Sequence, residues 1–269
     1  MSVDLAFVIP VYQDQAGAEE TLESLRQADW PVSGAVVLVD DGSNPALAIR
    51  PTEWAPLRVE LVRLSENQGI EGALNAGLAR ARQLEAKYIA RVDAKDTIRG
   101  DRLTKQIGIM ETRPRVGIVT SDIDFVDGAG RQLFRFVGPR TDREARRRMH
   151  INSCLGHTGS MLRAKFLDEV GHYSRDYPAA EDYDLFFRLL AVSEAWCIPE
   201  PLTTSVIGEG GISKTRRRDQ LKSRLRIQLK YFDAMGVASY AGIALTLAMF
   251  LIPQRPIQLA KRLFRNSPI

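Results

Sequence analysis

Three consecutive segments, Arg58-Val59-Glu60-Leu61-Val62-Arg63, Ile70-Glu71-Gly72-Ala73-Leu74-Asn75-Ala76-Gly77-Leu78 and Lys87-Tyr88-Ile89-Ala90-Arg91-Val92, decide the fold. The outer two are short apolar runs of strand length. Between them Ile70, Ala73, Leu74, Gly77, Leu78, Ala81 and Leu84 recur at i, i+3, i+4 and i+7, which predicts a helix with one buried face. Strand, helix and strand in so short a span make a βαβ crossover, the unit of a parallel sheet. Upstream, Leu5 to Val11 and Ala35 to Val39 add two strands. Downstream come a helical stretch from Asp101 to about Thr112, a strand from Val116 to Thr120, and a hairpin from Asp124 to Val137 with Asp127-Gly128 at its turn. Regular alternation stops there, so a second subdomain follows the parallel half. A further helix starts near Ala180 and turns Leu185, Phe186, Leu189 and Leu190 inward.

With 269 residues, 45% of them hydrophobic and 26% charged, the chain can bury a core without disulfides or metals. The same figures exclude wholesale disorder and a polytopic membrane protein. Cys154 and Cys197 are too few for a disulfide framework or a structural zinc site, which fits a reducing compartment. The net charge of +4, from 37 basic and 33 acidic residues, gives no footing for nucleic-acid binding. Leu5 to Val11 has no basic leader and contains Pro10, so it does not read as a signal peptide, and a cytosolic protein is expected.

The composition changes at Lys214. Leu221, Leu225, Leu229, Phe232 and Met235 share one helical stripe, and Arg218, Lys222, Arg226 and Lys230 share another. Val237 to Ile252 is almost wholly apolar, yet shorter than the roughly 20 residues that cross a bilayer. Lys261 to Arg265 is basic again. Monotopic attachment, with basic side chains on anionic headgroups and Tyr240 to Ile252 in the inner leaflet, is the favoured reading. A helix packed on the rest of the chain, or a homodimer through it, has the same pattern, and nucleic-acid binding would use the same basic stripe but has no accompanying motif.

Three acidic constellations stand at element ends. Asp40-Asp41-Gly42-Ser43 closes a strand, at the edge where open α/β sheets place ligands, although Asp-Gly and Ser also build ordinary turns. Arg91-Val92-Asp93-Ala94-Lys95-Asp96 closes another strand. Carboxylates there suit Mg²⁺ or Mn²⁺ together with substrate phosphates, and Asp96 equally suits a helix cap. Glu181-Asp182-Tyr183-Asp184 opens a helix, where the dipole alone favours acids.

Together with Phe7 to Tyr12, Glu66-Asn67-Gln68-Gly69, Ala73-Leu74-Asn75-Ala76-Gly77, Arg102-Leu103 and Gln106, these segments give a sequence that resembles the GT-A glycosyltransferases of family 2 from Leu5 to Ser213. The resemblance implies an α/β GT-A fold, a mixed sheet flanked by helices, followed by a basic and apolar helical tail. It gives a catalytic domain at 1–213, with a nucleotide-sugar half at 1–112 and an acceptor half at 113–213, and the charge and apolar pattern beyond it gives a membrane-associating tail at 214–269. It implies that Pro10, Val11 and Tyr12 lie along the base, Asp41 reaches uracil or ribose, and Asp93 approaches the ribose or a metal-bound diphosphate. Asp40, Asn67, Gly69, Asn75, Arg91, Lys95, His157 and Glu181 join the substrate site, and Asp182 becomes the general base of an inverting displacement.

The implied donor is a UDP- or dTDP-sugar. The acceptor is a lipid-linked or cell-surface glycan at the cytosolic face of a bacterial-type membrane. A divalent ion would rest on Asp93 and Asp96, but Lys95 replaces the carboxylate of the family's Asp-Ala-Asp-Asp pattern, and an ammonium repels a cation. That departure motivates a second reading, a disabled relative serving as a nucleotide-sugar-binding subunit of an assembly complex. Val206 to Ser213 also lacks the family's His or Arg near the diphosphate, a place that Lys214 or Arg216 would fill. His157 has a simpler reading as a hydrogen-bonded core histidine, and the arginines from Arg140 to Arg148 as a solvated helix face or a site for a lipid diphosphate. A nicotinamide-dependent oxidoreductase is set aside, because Pro10 to Asp14 stands where a Gly-rich fingerprint would be.

Overall fold

The computed structural model of the chain describes residues 2–208 and 216–251. The parallel half begins with β1 (Leu5–Val11), α1 (Gln15–Arg26), β2 (Gly34–Asp40), β3 (Val59–Arg63), α2 (Gly69–Gln83) and β4 (Tyr88–Arg91). After β5 (Thr97–Ile98) and α3 (Arg102–Thr112) come the long β6 (Val116–Val126), β7 (Gln132–Phe136) and α4 (Asp142–Met149). The remainder is β8 (Met161–Arg163), α5 (Ala164–Val170), α6 (Glu181–Val192), β9 (Glu194–Val206), α7 (Arg217–Lys230) and α8 (Val237–Leu251). The strands form one sheet in the order β3-β2-β1-β4-β8-β6-β9-β5, with β7 on β6. β1 runs parallel to β2 and β4, and β2 to β3. Antiparallel β8 joins this half to β6, which pairs parallel with β9.

The alternation in β1 explains the layering. Leu5, Phe7 and Ile9 enter the core beneath α1 and α3, whereas Ala6 and Val8 enter the core beneath α2 and α6. The small residues on the second face let α2 approach closely. A Cβ on Gly77 would lie 2.4 Å from the Val8 side chain, so this helix position accepts glycine alone.

The expected hairpin and most expected elements are present with ends shifted by one or two residues, but β6 continues six residues beyond Thr120 because β9 pairs along its length. The tail helix docks differently from its apolar stripe. Leu221, Arg224, Ile227 and Gln228 face the body, while Leu229, Phe232 and Met235 are exposed. Ile227 is fully buried in the same core as α2 and α6. The inward face is fixed by polar bonding: Arg224 and Gln228 both donate to the Ile151 carbonyl, and Ser223 donates to that of Pro178. The basic stripe of Arg218, Lys222, Arg226 and Lys230 does face outward. The second basic segment, Lys261 to Arg265, and residues 209–215 with Lys214 lie outside the described residues.

Candidate active site

The strand ends and the starts of α2 and α6 meet along one edge of the sheet. At the end of β2, Asp40 is fully buried and shapes the turn. Its carboxylate accepts from the Ser43 and Leu47 backbone at 2.9 and 3.0 Å and lies 3.5 Å from Arg63. Asp40 therefore holds the loop, and its neighbour Asp41 turns toward the start of α2, accepting from the Gln68 N–H at 2.7 Å. Burial raises the Asp41 pKa above the usual carboxylate range. Gly42, which follows them, has φ of 68°, and a Cβ there would lie 2.3 Å from the Glu66 backbone, so the turn requires glycine. Pro10 and Val11 are buried at the end of β1, Tyr12 is exposed beyond them, and at the start of α2 Asn67 is exposed and Gly69 half-buried.

Arg91 is the centre of the second cluster. Its buried guanidinium holds Asp93 through two bonds of 2.5 and 3.1 Å. It also acts electrostatically on Glu181, Asp182 and Tyr173, so the end of β4 and the start of α6 share one field. Burial raises the Asp182 pKa against the pull of Arg91. Burial, aided by the charge of Asp182, pushes Glu181 to about 8, and its Oε2 has no partner among the described residues. Burial thus makes both acids of the pair harder to ionise than in water.

His157 accepts or donates at 2.9 Å to the Tyr173 hydroxyl and meets Phe186 edge-on. Burial, then the charge of Arg91, lowers its pKa well below the usual value and keeps it neutral. Asn75 is bonded away from the cleft. It holds Tyr173 at both backbone groups, at 2.9 and 3.0 Å, and so straps the loop before α6 to α2.

The proposed metal ligands part company. Asp96 is buried, accepting from Thr158 Oγ1 at 2.6 Å and the Val206 N–H at 3.1 Å, and burial beside the charge of Asp93 pushes it to about 7. Asp93 is clamped by Arg91, and Lys95, at φ of 73°, reaches back to Asp14 at 3.3 Å. Among the described residues no group of three or more His, Cys, Asp or Glu is placed to hold a metal. Both carboxylates named for a divalent ion are thus engaged by protein groups as they stand, Asp93 by Arg91 and Asp96 by Thr158 and Val206.

Several participants carry no sequence motif of their own. Arg175 donates to the Gln68 side chain at 2.9 Å and acts electrostatically on Asp41, linking the loop before α6 to the nucleotide end. Glu71, buried in the first turn of α2, adds its charge to the surroundings of Glu181. Neither spacing nor composition marks them, because each acts through a segment about a hundred residues distant. Arg102 and Gln106, in contrast, stand one helical turn apart in a stretch already singled out. Arg102 donates to the carbonyls of Arg91 and Ser160, and Gln106 to that of Gly159, bracing the 157–160 loop from beneath.

The family model described as glycosyl transferase family 2 matches residues 6–171. The amylovoran biosynthesis glycosyltransferase AmsE of Erwinia amylovora is 27% identical over 79% of this chain and 80% of its own length. The succinoglycan biosynthesis protein ExoO of Rhizobium meliloti is 29% identical over 82% of this chain and 66% of its own. Among solved structures, S. aureus TarS 1-349 in complex with UDP-GlcNAc superposes with a TM-score of 0.65 at 18% identity, covering 93% of this chain and 72% of that one. The mannosyltransferase PcManGT of Pyrobaculum calidifontis, in complex with GDP-Man and Mn²⁺, gives 0.63 at 18% identity, covering 97% and 73%. At such identities the two structures speak for the fold alone.

Proposed function

The chain belongs to glycosyl transferase family 2, and from that membership we propose that it transfers a sugar, with inversion, from a nucleoside-diphosphate sugar to a lipid-linked glycan. It is a glycosyltransferase, with relatives in polysaccharide biosynthesis. The observation that carries the finer reading is the Glu181–Asp182 pair, at the start of α6 and in the field of Arg91 and Asp93.

In this reading the nucleoside lies at the ends of β1 and β2, along Pro10, Val11 and Tyr12. Asp41, Asn67 and Gly69 bound it on the side of α2. Asp93 and Arg91 orient the ribose and diphosphate. Asp182, as a carboxylate, removes the proton of the acceptor hydroxyl as that oxygen bonds to the anomeric carbon. The bond from this carbon to the diphosphate oxygen breaks on the opposite face, and the nucleoside diphosphate leaves with the electron pair. Glu181, holding its proton, keeps a second negative charge away from the base. His157 and Tyr173 line the acceptor side as a neutral pair.

A bound divalent ion would neutralise charge on the leaving diphosphate. The Mn²⁺ of the Pyrobaculum enzyme is a precedent for such an ion, but here Asp96 is bonded inward and Lys95 brings an ammonium. No step is assigned to it. The site of action is proposed as the cytosolic face of the membrane, supported by the acceptor class and by the basic and apolar tail.

A thermal-shift panel of UDP-, dTDP- and GDP-sugars identifies the donor, since a ligand that binds only the native state raises its stability. With that donor, Asp182→Asn lowers product formation by about 10²–10⁴-fold while the ligand-induced shift persists. Unchanged turnover would remove Asp182 as base. Donor binding without turnover by the unaltered chain, on any acceptor, would favour the assembly-subunit reading.

A further inference from the structure

Helix α8 is turned inside out. Its sequence from Val237 to Leu251 contains no charged residue, yet the residues that face the body are the small and polar Ser239, Gly242 and Thr246. Ser239 Oγ lies 3.1 Å from His150 Nδ1, and the Thr246 hydroxyl donates to the Gln228 side chain at 2.8 Å. A Cβ on Gly242 would lie 2.1 Å from the His150 carbonyl oxygen, so the helix axis lies flat on the body at this point. The large apolar side chains take the other side: Val237, Tyr240, Leu245, Leu247, Phe250 and Leu251 are all exposed. Burying polar groups and exposing leucines reverses the pattern of a helix in a water-soluble protein.

We propose that this outward face of α8 inserts, parallel to the membrane plane, into the headgroup and upper acyl region of an anionic bilayer. The proposal rests on the membrane location given above and names the surface that makes it. Charge complementarity selects a lipid surface. In α7, which pairs with α8 through the Arg217 bond to the Met249 carbonyl, Arg218 and Lys222 are exposed, and Arg216 precedes it at the end where α8 finishes. Exposed basic side chains beside an exposed apolar strip match headgroup phosphates above acyl chains. The fifteen residues of α8 span about 22 Å, less than the roughly 30 Å hydrocarbon core, and no helix of the described residues is long and apolar enough to cross a membrane. The flat contact at Gly242 sets the helix along the protein surface, which is the attitude that in-plane insertion needs.

The test is flotation of the full chain with vesicles of phosphatidylcholine containing about 30% phosphatidylglycerol. The unaltered chain floats, and less so at high salt. Leu245→Gln with Leu247→Gln lowers the bound fraction by at least about tenfold while the melting temperature is unchanged. In Tyr240→Trp and Phe250→Trp, brominated lipids quench the added fluorescence most strongly when the bromines are shallow, at both ends of the helix alike. Failure of the unaltered chain to float, or flotation of the double variant at the unaltered level, overturns the proposal. So does a concentration-dependent dimer, without vesicle binding, that the double variant abolishes, because a second copy then covers the face. Asp182→Asn floats like the unaltered chain, so loss of the catalytic reading and loss of this one are separate results.

Discussion

Asp93 and Asp96 stand three residues apart and meet different environments, because the chain between them leaves the strand and turns through a left-handed Lys95. One carboxylate remains at the cleft under Arg91, and the other is drawn into the fold by Thr158 and Val206. The lysine is the residue that bears on metal use. Chelation with EDTA is expected to leave much of the activity, and Lys95→Asp to gain a response to added Mn²⁺. An EDTA-insensitive Lys95→Asp enzyme would dismiss the idea. The Glu181–Asp182 pair yields a pH prediction. Between the ordinary value of 4.5 and about 8, the native state holds a proton on Glu181 that the unfolded chain has lost. Stability therefore falls as pH rises through that window, and Glu181→Gln flattens the fall. Asp96, raised to about 7 by burial, contributes in the same sense and remains in that variant, so the slope shrinks without vanishing. Melting temperatures from pH 5 to 8.5 provide the measurement.

At the scale of elements, the two ends of the cleft are tied together by contacts between α2 and the loop before α6. Asn75 holds Tyr173 and Gln68 holds Arg175. Asn75→Ala is expected to lower turnover more than donor binding, because it frees the loop that leads to the acidic pair. Equal loss of both would point to general unfolding. Helix α7 secures the same loop from outside, through Gln220, Ser223 and Arg226 to the carbonyls of Ala179, Pro178 and Asp176. Lys230 and the Tyr231 hydroxyl add contacts of 2.8 and 3.0 Å to buried Asp184 in α6. Ile227→Ala, which empties a filled position between these helices, should destabilise the protein by about 2–5 kcal/mol in urea denaturation. A value below about 0.5 kcal/mol would mean that α7 is only loosely attached.

Over the whole molecule, the tail and the catalytic body are one packed unit as far as α7, which changes how membrane attachment is to be tested. Removing everything after Ser213 would take Ile227 and Leu221 out of the core and expose the face of α6 beneath them. Such a truncation is expected to express as aggregate rather than as a soluble, vesicle-free enzyme. Soluble, fully active truncated protein would contradict the packing described for α7. Substitutions on the exposed face of α8, at Leu245 and Leu247, avoid the problem because they leave the packing of α7 intact.

The sequence by itself determined the parallel half, the family and the three acidic turns, because periodicity and turn chemistry are written in neighbouring residues. It also set the basic stripe of α7 on the outside, since four cations at every fourth position have no room inside. Only the tertiary structure decided which carboxylates stay at the cleft. Asp40 is held by N–H groups of its own turn, Asp96 by a hydroxyl and an N–H of distant segments, Asp41 by the start of α2 and Asp93 by Arg91. It alone decided which face of α7 docks, by polar bonds to carbonyls some seventy residues earlier, and that α8 buries its small residues and presents its large ones. Such choices depend on the shape and bonding of a surface assembled from distant parts of the chain, and no local pattern carries that information.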